Sequence, residues 1–240
     1  SQHPLDVGAA EMGEREQVAR LAIGVGAHVQ EQADAAAGGQ DGHQGRPLDL
    51  DRFAMRSRLP GAGPRPLVML HGLCMNDLQW LHEGHDHGAA LAREAGWTLV
   101  YLHYNSGLSV STNGRILAAL MERLYDAWPQ PVERMAMIGH SMGGLVARSA
   151  LHHGALAARG GLRWPTRIDD LVCLGTPHHG APLERMGHGV EMLLGAAPYA
   201  APLARLPQLR SAGIQDLRLG NVLSGPPGAH VDLPRPPRAY

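Results

Sequence analysis

Lysine is absent from this 240-residue chain: all 21 of its basic residues are arginine, set against 22 acidic ones. A formal net charge of −1 leaves no excess of one sign for nucleic acid or an anionic membrane surface, so neither is expected as a partner. Beside abundant alanine, glycine and proline, the missing lysine reads as a biased coding composition rather than a binding feature. Cysteine is nearly absent too. Cys74 and Cys173 make no disulfide framework, and each falls in or beside an expected buried strand end, where a reduced thiol behaves as a small apolar side chain. No apolar run approaches the ~18 residues that a bilayer span requires, so no transmembrane segment is expected. The N-terminus lacks the charged-then-apolar layout of a signal peptide, and a cytoplasmic location is the default expectation. Composition leaves the oligomeric state open. What is present is a 44% hydrophobic chain, long enough for one α/β domain with a sizeable core.

Apolar periodicity orders the chain. Residues 11–37 read as an amphipathic helix with Val18, Leu21, Val25 and Val29 on one face, weakened in the middle by Gly24 and Gly26. Residues 48–58 hold an imperfect alternation, read as a strand, and Pro60-Gly-Ala-Gly-Pro64 is a turn. Four short apolar runs then follow, at 67–70, 97–102, 135–138 and 168–174, the pattern of strands covered on both faces. Helical segments near 86–95, 111–127 and 142–158 separate them. Such alternation predicts a mostly parallel sheet with right-handed crossovers and helices on both faces. The expected organisation is an N-terminal helical segment and linker over 1–64, then an α/β core over 65–240. Within that core, a proline-broken, Met- and Leu-rich stretch at about 183–220 has the look of a cap, and 224–238 is too proline-rich for regular structure.

One motif carries chemistry. Gly139-His-Ser-Met-Gly143, followed by Gly144, stands between the run ending at Ile138 and a helical pattern. A G-x-S-x-G at a strand–turn–helix junction holds its serine on a strained elbow at the sheet edge, and a side chain at 139 or 143 would strike backbone. Ser141 is therefore the candidate nucleophile, in need of a histidine base oriented by a carboxylate. Acyl transfer also needs two N–H donors aimed at the developing oxyanion. In this arrangement they come from the residue after the nucleophile, Met142, and from the turn after an earlier strand, His71-Gly-Leu73, where Leu73 is the expected donor. His71 and His140 are expected to hydrogen-bond and pack locally rather than act as bases.

Three blocks occur in order: Leu67-Val-Met-Leu-His-Gly-Leu73, Ile138-Gly-His-Ser-Met-Gly-Gly-Leu145 and Leu174-Gly-Thr-Pro-His-His-Gly-Ala-Pro182. Together, over about 66–220, they resemble the lipases and esterases of the α/β-hydrolase superfamily. The third block is typical of the branch that includes the GPI inositol-deacylase-like domain and bacterial triacylglycerol lipases. The resemblance implies an α/β-hydrolase fold, hydrolysis of a small hydrophobic ester or lipid through an acyl-enzyme, and no organic cofactor. It carries over Ser141 as nucleophile with Leu73 and Met142 as oxyanion donors. It also implies an acid and then a histidine on strands after residue 220, so the last strands are expected to be missing from a C-terminally truncated chain. Asp216, and His230 with Asp232, are the only late substitutes within it.

Several readings stay open. His178 and His179 either line the substrate pocket or merely shape their turn. His82, His85 and His87 with Glu83 and Asp86 hold metal-ligand residue types, but form no helical i, i+4 pair, and a solvated loop is the preferred reading, with no metal. An acyltransferase uses the same elbow, and a catalytically inactive hydrolase fold serving as a binding module fits an absent acid and histidine.

Overall fold

A computed structural model describes residues 27–28, 49–75, 80–82, 85–158, 162–180 and 211–224. At its centre lies β2 (Pro66–Leu70), buried along its whole length. It is flanked by parallel β5 (Thr98–Leu102) on one side and parallel β6 (Met135–His140) on the other, and β7 (Ile168–Leu174) lies beyond β6. The register sets Val68 level with both Val100 and Met137, and Gly139 level with Cys173. A continuous apolar run is what a strand enclosed on both faces requires, and all four expected strands form within one to two residues of their predicted ends.

The crossovers fill both layers. Helix α2 (His87–Ala95) joins β2 to β5, α3 (Val110–Ala127) joins β5 to β6, and α4 (Met142–Ala158) joins β6 to β7. Alternate strand residues divide the core. Val68, Leu70, Val100, Met137 and Leu171 face a cluster with Leu117, Met121, Leu145 and Val146 of α3 and α4. Leu67, Met69, Leu99, Tyr101 and Ile138 face Trp80 and Ala92 on the other side. A last helix, α5 (Ala212–Leu219), packs against α3.

Two expectations fail in the N-terminal part. Ala27–His28 is not helical but a two-residue strand, β1, antiparallel to β5 through Ala27–Leu102 and His28–Tyr101. Glycines at 24 and 26 make helix interior costly there, and pairing satisfies the otherwise open backbone edge of β5. The rest of the predicted 11–37 helix lies outside the described residues. Nor is 48–58 a strand: Arg52–Arg58 form helix α1. Asp51 caps it, accepting hydrogen bonds from the Phe53 and Ala54 N–H groups at 2.9 and 3.1 Å, and such a cap is worth roughly 1 kcal/mol. Arg52 donates to the Asp126 carbonyl at 2.8 Å, so α1 also closes the end of α3. The short elements β3 (Leu81–His82) and β4 (His85–Asp86) form a small antiparallel pair.

Met55 is α1's one buried residue, fully enclosed in the larger core cluster, whereas Phe53 is 84% exposed. Met55→Ala is expected to destabilise the fold by about 2–5 kcal/mol, and Phe53→Ala to stay within about 0.5 kcal/mol of the parent. Urea unfolding of both variants checks the assignment; equal effects would refute a helix docked through Met55.

Candidate active site

The connections from β2 and β6 set the geometry. From β2 the chain crosses to β5 on one side, returns over β2 to β6 and continues outward to β7. Ligands of open α/β sheets bind outside the carboxyl ends of strands at such a reversal. The residues that leave those two ends are His71–Cys74 and Ser141.

Ser141 takes the left-handed backbone conformation, φ +51°, one of two non-glycine residues among those described to do so. That conformation costs on the order of 1–3 kcal/mol and persists because the surroundings enforce it. The Ser141 N–H donates to the Leu174 carbonyl at 2.8 Å, which locks the turn to the end of β7. A β-carbon on Gly139 would stand 2.5 Å from backbone of Gly144, and one on Gly143 would stand 2.6 Å from the His71 carbonyl oxygen and 2.7 Å from that of Leu70. Gly144 in turn abuts Thr176. The turn is thus pressed against β2 behind it and against the β7 loop at its flank.

The His71–Cys74 turn is braced from below. His71 is fully buried, and its Nε2 accepts the Tyr104 N–H at 3.2 Å. The proton then belongs on Nδ1, which donates to the Gly72 carbonyl at 2.8 Å. The Tyr104 hydroxyl donates to the His71 carbonyl at 2.7 Å, and the two rings stack with centroids 4.3 Å apart. Burial holds the Tyr104 phenol far above its ordinary pKa, so it remains a donor. Cys74 N–H donates to the Ser106 hydroxyl at 3.0 Å, tying the turn to the loop after β5. His71 has both ring nitrogens in this bracing and is a structural residue. Gly72 places its α-carbon over the serine: a β-carbon there would lie 3.4 Å from Ser141 Cβ and 3.0 Å from His140 Nδ1.

Leu73 therefore follows directly from the residue that covers Ser141, and Met142 opens α4, where the first N–H groups of a helix lack intrahelical acceptors. Among the described residues, neither N–H is engaged by another hydrogen-bonding group. His140 turns to the opposite face, its ring edge-on to Trp80 at 6.3 Å. Burial lowers its pKa and keeps it neutral, and its Nδ1 has no partner among the described residues.

The loop after β7 carries His178 and His179. Arg148 of α4 donates to His178 Nδ1 at 2.9 Å, a contact between residues 30 apart that no local pattern announces. Desolvation first, then the Arg148 and His179 charges, push the His178 pKa down. Asp216 is a brace: its carboxylate accepts the Val110 N–H at 2.8 Å, holding α5 to the start of α3, and burial raises its pKa. The late candidates His230 and Asp232, and residues 183–210 of the expected cap at about 183–220, lie outside the described residues. Asp86 accepts from the Ala89 N–H at 2.7 Å as the cap of α2 and from the Tyr101 hydroxyl. Among the described residues no three histidine, cysteine or acidic side chains group as metal ligands, and no helix is long and apolar enough to cross a membrane.

A family model described as the PGAP1-like alpha/beta domain matches residues 63–199, more than half of the chain. No curated protein matches. Among solved structures, the chain is similar to a Bacillus licheniformis lipase in its mature form, with 24% identity and a TM-score of 0.46 over 65% of this chain and 55% of the lipase. A lipase-esterase related protein from Clostridium acetobutylicum aligns at 14% identity and a TM-score of 0.41, over 66% of this chain and 67% of that protein. The chain thus spans about half the length of the Bacillus lipase.

Two outcomes test this geometry. Gly143→Ala is expected to cost about 1–3 kcal/mol, because the added methyl meets two carbonyl oxygens that cannot rotate away; urea unfolding measures it. The His140 imidazole is expected to titrate below the 6.5 of an unburied ring. The unfolded chain then binds more protons than the folded one in that window, so stability falls as pH drops through it. NMR titration of the ring proton checks the direction, and a midpoint above 6.5 would contradict burial at this site.

Proposed function

The chain belongs to the PGAP1-like alpha/beta domain family, and on that premise we propose that it is a serine hydrolase of carboxylic esters, of the lipase and esterase branch of the α/β-hydrolases. Ser141 attacks the ester carbonyl, the alcohol departs, and water cleaves the resulting acyl-enzyme. The Leu73 and Met142 N–H groups hold the negative charge that develops on the carbonyl oxygen, and the positive end of the α4 dipole lies at the same place. No organic cofactor enters these steps. The observation that carries the reading is the left-handed Ser141, φ +51°, at the β6–α4 junction with the Gly72 turn over it. A buried, neutral His71–Tyr104 brace beneath that turn supports it, since donors must be fixed before charge develops.

In this reading residues 65–240 carry the catalytic core and about 183–220 a cap over the substrate. A small hydrophobic ester or lipid is the substrate class. The serine's proton passes to a histidine, for which His179, on the loop after β7, and the late His230 are the candidates within the chain, His178 having its Nδ1 taken by Arg148.

The test is covalent labelling. A fluorophosphonate probe is expected to add once per chain, by intact mass, and not at all to Ser141→Ala. Ester turnover should fall on the order of 10⁶-fold in that variant if the machinery is complete. A folded parent chain that takes no label would sink the proposal and favour an inactive binding module. A labelled chain that transfers its acyl group to added alcohols faster than to water would favour an acyltransferase.

A further inference from the structure

Arg148 has an unusual partner. Its guanidinium, half-buried on α4, donates to the neutral ring of His178 at 2.9 Å, and His179 adds to the positive field on that ring. Arginine's planar fork matches carboxylate or phosphate oxygens two at a time. Among the described residues no carboxylate pairs with Arg148. The described acids of the neighbouring elements are engaged elsewhere: Asp216 with the Val110 N–H, Glu122 and Asp126 with Arg163, and Asp169 with Arg134. Asp170 sits at the far end of β7, level with Ala136.

The location follows from three contacts along α4. The Leu174 carbonyl meets the Ser141 N–H, Thr176 meets Gly144, and His178 meets Arg148. The β7 loop therefore runs along the helix flank away from the nucleophile. Seven residues of helix separate Ser141 from Arg148, about 10 Å along the axis, and helical side chains lean back toward the N-terminus, which shortens that span. With its Nδ1 accepting from arginine, neutral His178 carries its proton on Nε2 and offers a second donor.

We propose that Arg148 and His178, with His179 beside them, form an anion subsite for the phosphate-type headgroup of an ester substrate whose carbonyl lies at Ser141. The proposal rests on the reading of Ser141 as nucleophile. An anion seated there bridges guanidinium and imidazole, and gives Arg148 the charged partner that no described carboxylate supplies, which a partly desolvated site favours.

The test uses the full chain and three probes: inorganic phosphate, dihexanoyl phosphatidic acid and dihexanoylglycerol. On the unmodified chain, inorganic phosphate should shift the His178 ring-proton NMR signal in a saturable way. Phosphatidic acid should be hydrolysed with a higher kcat/KM than the neutral diester. In Arg148→Gln the ratio of the two kcat/KM values should fall by about 10- to 100-fold, the loss expected for a charge-assisted hydrogen bond, while Arg148→Lys recovers part of it. An unshifted His178 signal together with an unchanged ratio overturns the subsite and leaves the nucleophile standing. Phosphate binding with an unchanged ratio overturns the headgroup assignment. Phosphate binding that Arg148→Gln abolishes, in a chain that hydrolyses neither ester, supports the anion site and sinks the nucleophile instead. The titration needs no variant, so a misfolded Arg148→Gln would not shelter the proposal.

Discussion

Gly143 stands so near the Leu70 and His71 carbonyls that a single methyl would close the gap, and most of the candidate site depends on that approach. It brings the first turn of α4 against the end of β2, so that the residues leaving two adjacent strands share one small volume. The Ser141 N–H bond to Leu174 then fixes the third strand to the same point. Strain at Ser141 is tolerated because the turn has nowhere to relax: glycines at 139, 143 and 144 let backbone or a neighbouring side chain fill every side of it.

The polar groups around this turn divide into those used up in bracing and those left over. His71, Tyr104, Ser106 and Asp216 are buried or half-buried and spend their hydrogen bonds on backbone N–H and carbonyl groups of neighbouring loops. A neutral imidazole and a phenol do this without placing net charge beneath the His71–Cys74 turn. The first formal cation after the elbow in sequence, Arg148, is engaged with a neutral ring at the flank. Charged pairs such as Arg163 with Glu122 stand at the opposite end of α3, screened by solvent.

The legible parts of the fold were those with one repeating physical demand. Strands buried on both faces must be apolar throughout, and the runs at 67–70, 97–102, 135–138 and 168–174 stand out for that reason. The elbow was legible because its glycines, serine and flanking elements fall within about ten consecutive residues. Illegible were features that depend on a distant partner. Two residues such as Ala27 and His28 have no pattern of their own, and only β5 makes them a strand. Helix α1 buries the single residue Met55, too little for a periodic signal, although the Asp51 cap was there to be read. The Tyr104–His71 brace, the Asp216 tie and the Arg148–His178 contact join residues 30 to 106 positions apart. Their residue types are ordinary; the fold alone makes them neighbours.

Gly180 and Gly220 meet where the loop after β7 passes the end of α5. Both are left-handed, at φ +81° and +69°. A β-carbon on Gly220 would stand 2.5 Å from the Gly180 nitrogen, and one on Gly180 would strike the Arg218 carbonyl. The loop after β7 and the end of α5 are thus held in one narrow neck, with Asp216 riveting α5 to the start of α3. Once the neck is fixed, doubling the length of the intervening chain adds only about 0.6 kcal/mol of closure entropy. A change in length between residues 181 and 210 is therefore expected to leave the sheet that holds Ser141 as it is.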